Sequence, residues 1–367
     1  MNPVIPAPVP VPLPAPTWLL EFLLVFTFIL HLLAMNFLLG GVIILSVSSF
    51  LGRRDSRHRE FTRRISLAMP SATAFTITLG VAPLLFLQLV YGQLFYTSSA
   101  LMAWYWLAVV FLVLLGYYGV YWYQMQHDEL GPKAVWVILV TAIVFIHVTF
   151  LFTQNMTAML RPQDFYSLYV KGQVGTILGP LTFLNVARLA HFVVAAVALA
   201  GLGVALLSHR WQTESPELAD WGRRYGVTCF MGGTLVQFLV GLWFLFSLPV
   251  EIRQALVGDK LAVAILLLAI VLALLALLSA PRSLSASSVA ILGTVSMMAV
   301  VRHFVRNASL APYFDPHTLP VQGQWVVFSL FVALLLAGLA TVGWMLYVLF
   351  RPAATRGAPT YSPMVQR

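Results

Sequence analysis

The feature that most constrains this chain is a succession of apolar runs, each about 20 residues or longer, separated by short polar links. A run of that length is what an α-helix needs to cross roughly 30 Å of hydrocarbon. A membrane β-barrel shows alternating segments about half as long, and inside lipid only helices and closed barrels satisfy their own backbone groups. Composition agrees: 60% of the 367 residues are hydrophobic and 9% charged, too little polar surface for a water-soluble domain of this size. The single cysteine, Cys229, excludes a disulfide framework and a CxxCH attachment site for c-type haem. The net charge of +9 sits in short links between runs, where it is a topology signal and not a nucleic-acid footprint.

Hydropathy places spans near 18–50, 67–91, 100–123, 133–155, 179–208, 226–249, 260–280, 284–306 and 323–350. Alternate links carry most of the basic residues: Arg53, Arg54, Arg57, Arg59, Arg63 and Arg64, then Lys133, then Arg210, Arg223 and Arg224, then Arg282, then Arg351, Arg356 and Arg367. The opposite links hold Arg161, Lys171, Arg253, Lys260, Arg302 and Arg306. The positive-inside rule then predicts an outside N-terminus, a cytoplasmic C-terminus and an odd number of helices in a multi-pass protein of the cell inner membrane.

The opening, with proline at 6, 8, 10, 12, 14 and 16, lacks the basic start of a cleavable signal peptide and reads as an extended polyproline-type tail. The expected division is a proline-rich periplasmic tail (1–17), a first four-helix bundle (18–155), an outer loop (156–178), a second four-helix bundle (179–306), an outer loop with a ninth helix (307–350) and a cytoplasmic tail (351–367).

His31, His147, His191 and His303 fall in spans one, four, five and eight. These are the first and last helices of two consecutive four-helix units, and the sequence repeats accordingly. His31 to His191, Gly41 to Gly201 and Arg63-Arg64 to Arg223-Arg224 are each offset by 160 residues, and His147 to His303 by 156. The fold class expected is all-α, with two parallel four-helix bundles plus one helix.

Imidazole inside a membrane is a functional signal by default. The plain alternative is a hydrogen bond to a neighbouring helix. The sharper reading is haem ligation, with His31 paired to His147 and His191 to His303, and Met297 or Met298 as alternative ligands. Arg188, one turn before His191, and Arg302 and Arg306 beside His303 suit haem propionates. Glu21, at the outer start of span one, is the candidate proton acceptor for quinol oxidation.

These residues resemble subunit I of cytochrome bd quinol oxidases. His31 in Ile29-Leu30-His31-Leu32-Leu33 is similar to the haem-ligating histidine of that family's first helix, and Arg188-Leu189-Ala190-His191-Phe192 to its fifth-helix ligand. Gly80-Val81-Ala82-Pro83 through Gln88 to Gly92-Gln93 resembles a segment whose Gln and Gly flank a haem-binding glutamate. Residues 84–94 contain no acidic residue, the link between spans six and seven is too short for the family's quinol loop, and no Gly-Arg-Gln-Pro-Trp motif occurs.

The resemblance implies a distant relative without the oxygen-site glutamate, carrying one or more haem b groups, two being expected, and meeting quinone or quinol. The function expected is electron exchange between the quinone pool and a periplasmic c-type cytochrome or iron–sulfur subunit, as part of a quinol:acceptor oxidoreductase, with a second copy or a homologous membrane subunit as a further partner. The alternatives are a bd-like terminal oxidase with an altered haem site, or a cofactor-free membrane anchor or transporter.

Overall fold

In a computed structural model the chain is described at residues 6–8, 11–172, 175–178 and 182–350. The expected tail at 351–367 and the start of the proline-rich segment lie outside the described residues. The long helices are α1 (Thr17–Leu51), α3 (Met69–Leu101), α4 (Ala103–Met125), α6 (Ala134–Met159), α8 (Phe183–Ser208), α9 (Pro216–Ser247), α11 (Lys260–Ser279), α12 (Leu284–Leu310) and α13 (Trp325–Phe350). Shorter ones are α2 (Ser56–Ser66), α5 (His127–Leu130), α7 (Phe165–Lys171) and α10 (Val250–Gly258). Among the described residues nine helices are long and apolar enough to span a membrane.

Local chemistry sets the helix starts. Thr182, Asp259 and Ser283 cap α8, α11 and α12 by accepting a backbone N–H with their side-chain oxygens. Several ends differ from the hydropathy expectation. The helix α3 continues to Leu101 because Thr97 and Ser98 return their hydroxyls to the Gln93 and Phe95 carbonyls, so polar residues persist in the helix without open donors. Similarly, α9 starts at Pro216 and carries Arg223 and Arg224 within it.

The helices α1, α3, α4 and α6 pack as one bundle and α8, α9, α11 and α12 as another, joined mainly along α1 and α8. At that seam Gly40 lies against the Ala196 backbone and Gly203 against the Phe37 ring, so a side chain at either would force the helices apart. Gly41 and Gly201 sit at matching places: Gly41 meets Met69 of α3, and Gly201 meets Phe230 of α9. The helix α13 leans on the first bundle through Phe328, Phe331 and Leu335, with Phe331 edge-to-face on Phe86 of α3, and its opposite face is exposed.

The segment at 13–16 is not free. Leu13 forms a parallel bridge with Val321, donating to the Pro320 carbonyl at 2.7 Å and accepting from Gln322 N at 2.9 Å. Leu13 and Ala15 are buried, so this stretch is a strap across the N-terminal end of α1.

Candidate functional site: a duplicated histidine niche

His31 on α1 places Nδ1 3.0 Å from the main-chain oxygen of Thr76 on α3. A carbonyl only accepts, so Nδ1 carries the hydrogen and Nε2 keeps its lone pair. One turn along α3, Gly80 abuts the ring: a Cβ there would stand 3.0 Å from His31 Cε1 and Nδ1. His191 on α8 repeats the arrangement. Its Nδ1 lies 2.9 Å from the Gln237 amide on α9, and Gly241, again one turn on, is the glycine facing the ring. The Gln237 Oε1 is buried without a partner. Turning that amide over lets Nδ1–H donate to Oε1, which satisfies the oxygen and leaves Nε2 of His191 open as well.

Each niche has an aromatic neighbour, and each aromatic carries an arginine. Phe28 lies 6.5 Å from His31, with the Arg302 guanidinium 4.5 Å from its ring centroid. Phe244 lies 5.4 Å from His191, with Arg188 5.5 Å from its centroid. Arg188 donates to Thr157 Oγ1 at 2.5 Å and is 8% exposed; Arg306 is 5% exposed, stands over Tyr91, and has a buried Nη1 without a partner. Arg302 feels the charges of both Arg306 and Arg188. Three guanidiniums thus gather between the bundles, and among the described residues Glu21 is the carboxylate whose charge acts on one of them, Arg306.

Glu21 is 8% exposed at the start of α1. It accepts from Tyr91 Oη at 3.1 Å and from Asn307 Nδ2 at 3.3 Å. Its oxygens also stand 3.6 Å from His303 Nε2 and 3.5 Å from His317 Nε2. The His317 side chain is 56% exposed, so the carboxylate connects a buried polar network to the surface. Tyr91 can make these contacts because it interrupts α3 with non-helical backbone (φ −123°, ψ 29°).

The four intramembrane histidines therefore do not share one role. His31 and His191 occupy equivalent niches. His303 binds Asn307 at 3.2 Å and approaches Glu21, with its Nδ1 buried and unpartnered. His147 is exposed on the face of α6, tilted against Phe150, and is not brought to His31. Met297 and Met298 are half-buried on α12. Sequence reasoning missed Thr76, which contributes a main-chain oxygen, and Gln237, a polar residue in a span that the repeat aligns to within one position of Thr76. His317, in the loop after α12, carries no sequence signal that ties it to Glu21. No cluster of three or more His, Cys, Asp or Glu side chains suited to a bare metal ion occurs among the described residues.

No family model matches the chain, and no curated protein matches it significantly. Among solved structures it is similar to the bd oxidase from Geobacillus thermodenitrificans, with a TM-score of 0.67 at 12% identity, over 93% of this chain and 99% of that one. The chain is a polytopic, all-helical membrane protein with the fold of a bd oxidase chain.

Proposed function

We propose that this chain is a haem b electron-transfer subunit that exchanges electrons between quinol or quinone and a carrier beside the N-terminal end of α1, a c-type cytochrome or an iron–sulfur subunit. The observation that carries the reading is the duplicated niche. Twice, an imidazole has Nδ1 tied to the neighbouring helix, a glycine against its ring, and an arginine held on an adjacent phenylalanine. A ring nitrogen fixed through its other nitrogen is the usual state of a metal-binding histidine.

The residues fit an iron porphyrin on their own chemistry. His31 and His191 would each offer Nε2 to iron. Arg188, Arg302 and Arg306 form a buried cationic group short of anions, and porphyrin propionates would supply them. Gly80 leaves room beside the His31 imidazole where a side chain would intrude, and Gly241 faces the His191 ring at ordinary contact distance. When bound, haem supplies one-electron transfer at a potential tuned by ligand and charge.

The chain itself orients the two imidazoles, holds the propionate-binding cations and manages the proton. Glu21 is the base for quinol, and His317 passes the proton to water. A bd-like oxidase is the second reading, favoured by the fold neighbour; it requires an open iron position, and residues 84–94 offer no carboxylate to build one.

The test is the reduced-minus-oxidised absorption spectrum of purified protein, followed by quinol-driven haem reduction with Glu21→Gln. Haem b bands, with slower reduction and an unchanged spectrum in the variant, are expected. A colourless preparation after expression with haem supplied overturns the proposal, and carbon monoxide binding to the reduced protein selects the oxidase.

A further inference from the structure

A groove of about 310 Å³ runs along the kinked part of α3, roofed by the strap and the loop before α13. Its size is at the lower end of small-molecule sites. Leu85, Leu89 and Tyr96 of α3 form its exposed flank, and Pro12, Leu13 and Leu319 its roof. Two amides, Gln88 and Gln93, also line it. Gln93 is only 8% exposed, and neither amide has a hydrogen-bond partner among the described residues.

The geometry is set by the break at Tyr91. In a straight helix, residues five apart point about 140° away from each other. The non-helical backbone at Tyr91 lies between Gln88 and Gln93, and both amides open on one groove. Both amides open on a groove with largely apolar walls and have no protein partner there, so a ligand that supplies hydrogen bonds fits the opening.

We infer that this groove binds a quinone headgroup, with the amides of Gln88 and Gln93 hydrogen-bonding the ring oxygens. The inference rests on the quinone reading above and gives it a place. An amide suits both redox forms, since Nε2 donates to a quinone carbonyl and Oε1 accepts from a quinol hydroxyl. The exposed side at Leu85 and Leu89 lets an isoprenoid tail lie in the acyl chains, and Tyr96 offers a ring to stack on the headgroup. A phospholipid acyl chain would fill the apolar walls and leave both amides unmet. The groove also adjoins the proton network: Val90 and Gly92 in its wall flank Tyr91, whose hydroxyl donates to Glu21.

The experiment is photolabelling of the full-length protein in nanodiscs with an azido-substituted short-chain ubiquinone, read by peptide mass spectrometry, with decylubiquinone as competitor. Label on residues 85–96, displaced by the competitor, is expected. The Gln88→Leu/Gln93→Leu double variant should lose about tenfold or more of that label. Its melting temperature should hold, because replacing an unpartnered amide by an isosteric apolar group does not cost stability. Tyr96→Leu, on the exposed flank, is a second variant and should also lower the label.

Label confined to other helices, label that the competitor does not displace, or a double variant labelled like wild type overturns the inference. So does a co-purified phospholipid that the quinone does not displace from the groove. The two readings fail separately. A colourless protein removes the haem proposal wherever the label lands, whereas a haem protein reduced by quinol but labelled elsewhere removes only this site.

Discussion

The Nδ1 of His31 stands 3.0 Å from the carbonyl oxygen of Thr76, one helical turn before Gly80, and the same spacing recurs at Gln237 and Gly241 beside His191. Two copies of one device, on the first and second helices of each bundle, mean that the duplication preserved a ring orientation as well as a topology. Fixing Nδ1 determines where Nε2 points.

The two glycines should respond differently to substitution. A Cβ at Gly80 would sit 3.0 Å from the His31 ring, whereas at Gly241 it would meet the His191 ring at an ordinary 3.8 Å. Gly80→Ala is therefore expected to displace His31 and to lower or shift its share of the haem spectrum, while Gly241→Ala leaves the His191 share nearly intact. Haem content and reduced-minus-oxidised spectra of the two variants measure this. Equal losses at both positions would show that the rings are not held as described.

On the proposed haem reading, Gln237→Leu removes the group that holds His191 while leaving the proposed ligand. Loss of a partner that orients a metal-binding histidine typically costs about 10–100-fold in metal affinity. Haem retention during dilution should fall by that order for the His191 site, with the His31 site as an internal standard. Gln237→Glu, which keeps an acceptor for Nδ1–H, should restore retention. A Leu variant that keeps haem as well as wild type would remove Gln237 from the site.

How much of this was legible in sequence follows from what each contact uses. The nine spans were visible because lipid demands long apolar runs, and the repeat because His31, Gly41 and Arg63-Arg64 return after 160 residues. Depth was readable, but the direction a side chain faces was not. His147 shares the membrane with His31 yet lies on the exposed face of α6. Thr76 acts through its main-chain oxygen, which leaves no side-chain signature. His317 joins Glu21 only because the loop after α12 folds back over the start of α1. The strap escaped notice because proline at 12, 14 and 16 suggests an extended chain, and the hydrogen bonds that pin it come from Leu13, Pro14 and residues 320–324.

If the proposed haems are bound, Arg302 and Arg188 should set their potentials separately. Each guanidinium is carried on the phenylalanine beside one imidazole. A nearby buried cation favours the reduced iron, whose net charge is lower, so Arg302→Gln is expected to lower the potential of the His31 haem and Arg188→Gln that of the His191 haem, each by on the order of tens of millivolts. Redox titration followed by absorbance resolves the two. Arg161→Gln is the control, since Arg161 is paired with Asp164 at 2.8 Å and half-exposed. A rise in either potential, or an equal shift with the control, would contradict the placement.

At the other end of the molecule, His58 on α2 ties the first bundle to α9. Its ring meets Trp221 edge-on at 4.7 Å and Tyr225 at 5.3 Å, and Nδ1 is buried without a partner. Phe61, three residues on, packs against the same two rings. Burial holds the His58 imidazole below its ordinary range; the Asp55 carboxylate opposes this and Arg57 adds to it. The neutral ring is thus favoured in the folded state. Its stabilisation is complete above the unfolded value near 6.5 and is lost as the pH falls below it. The melting temperature in detergent should drop between about pH 7.5 and about pH 5.5, and His58→Phe, which keeps the aromatic contacts but cannot be protonated, should flatten that drop. If wild type and variant lose stability in parallel over this range, the pH sensitivity belongs to another group and His58 serves in packing alone.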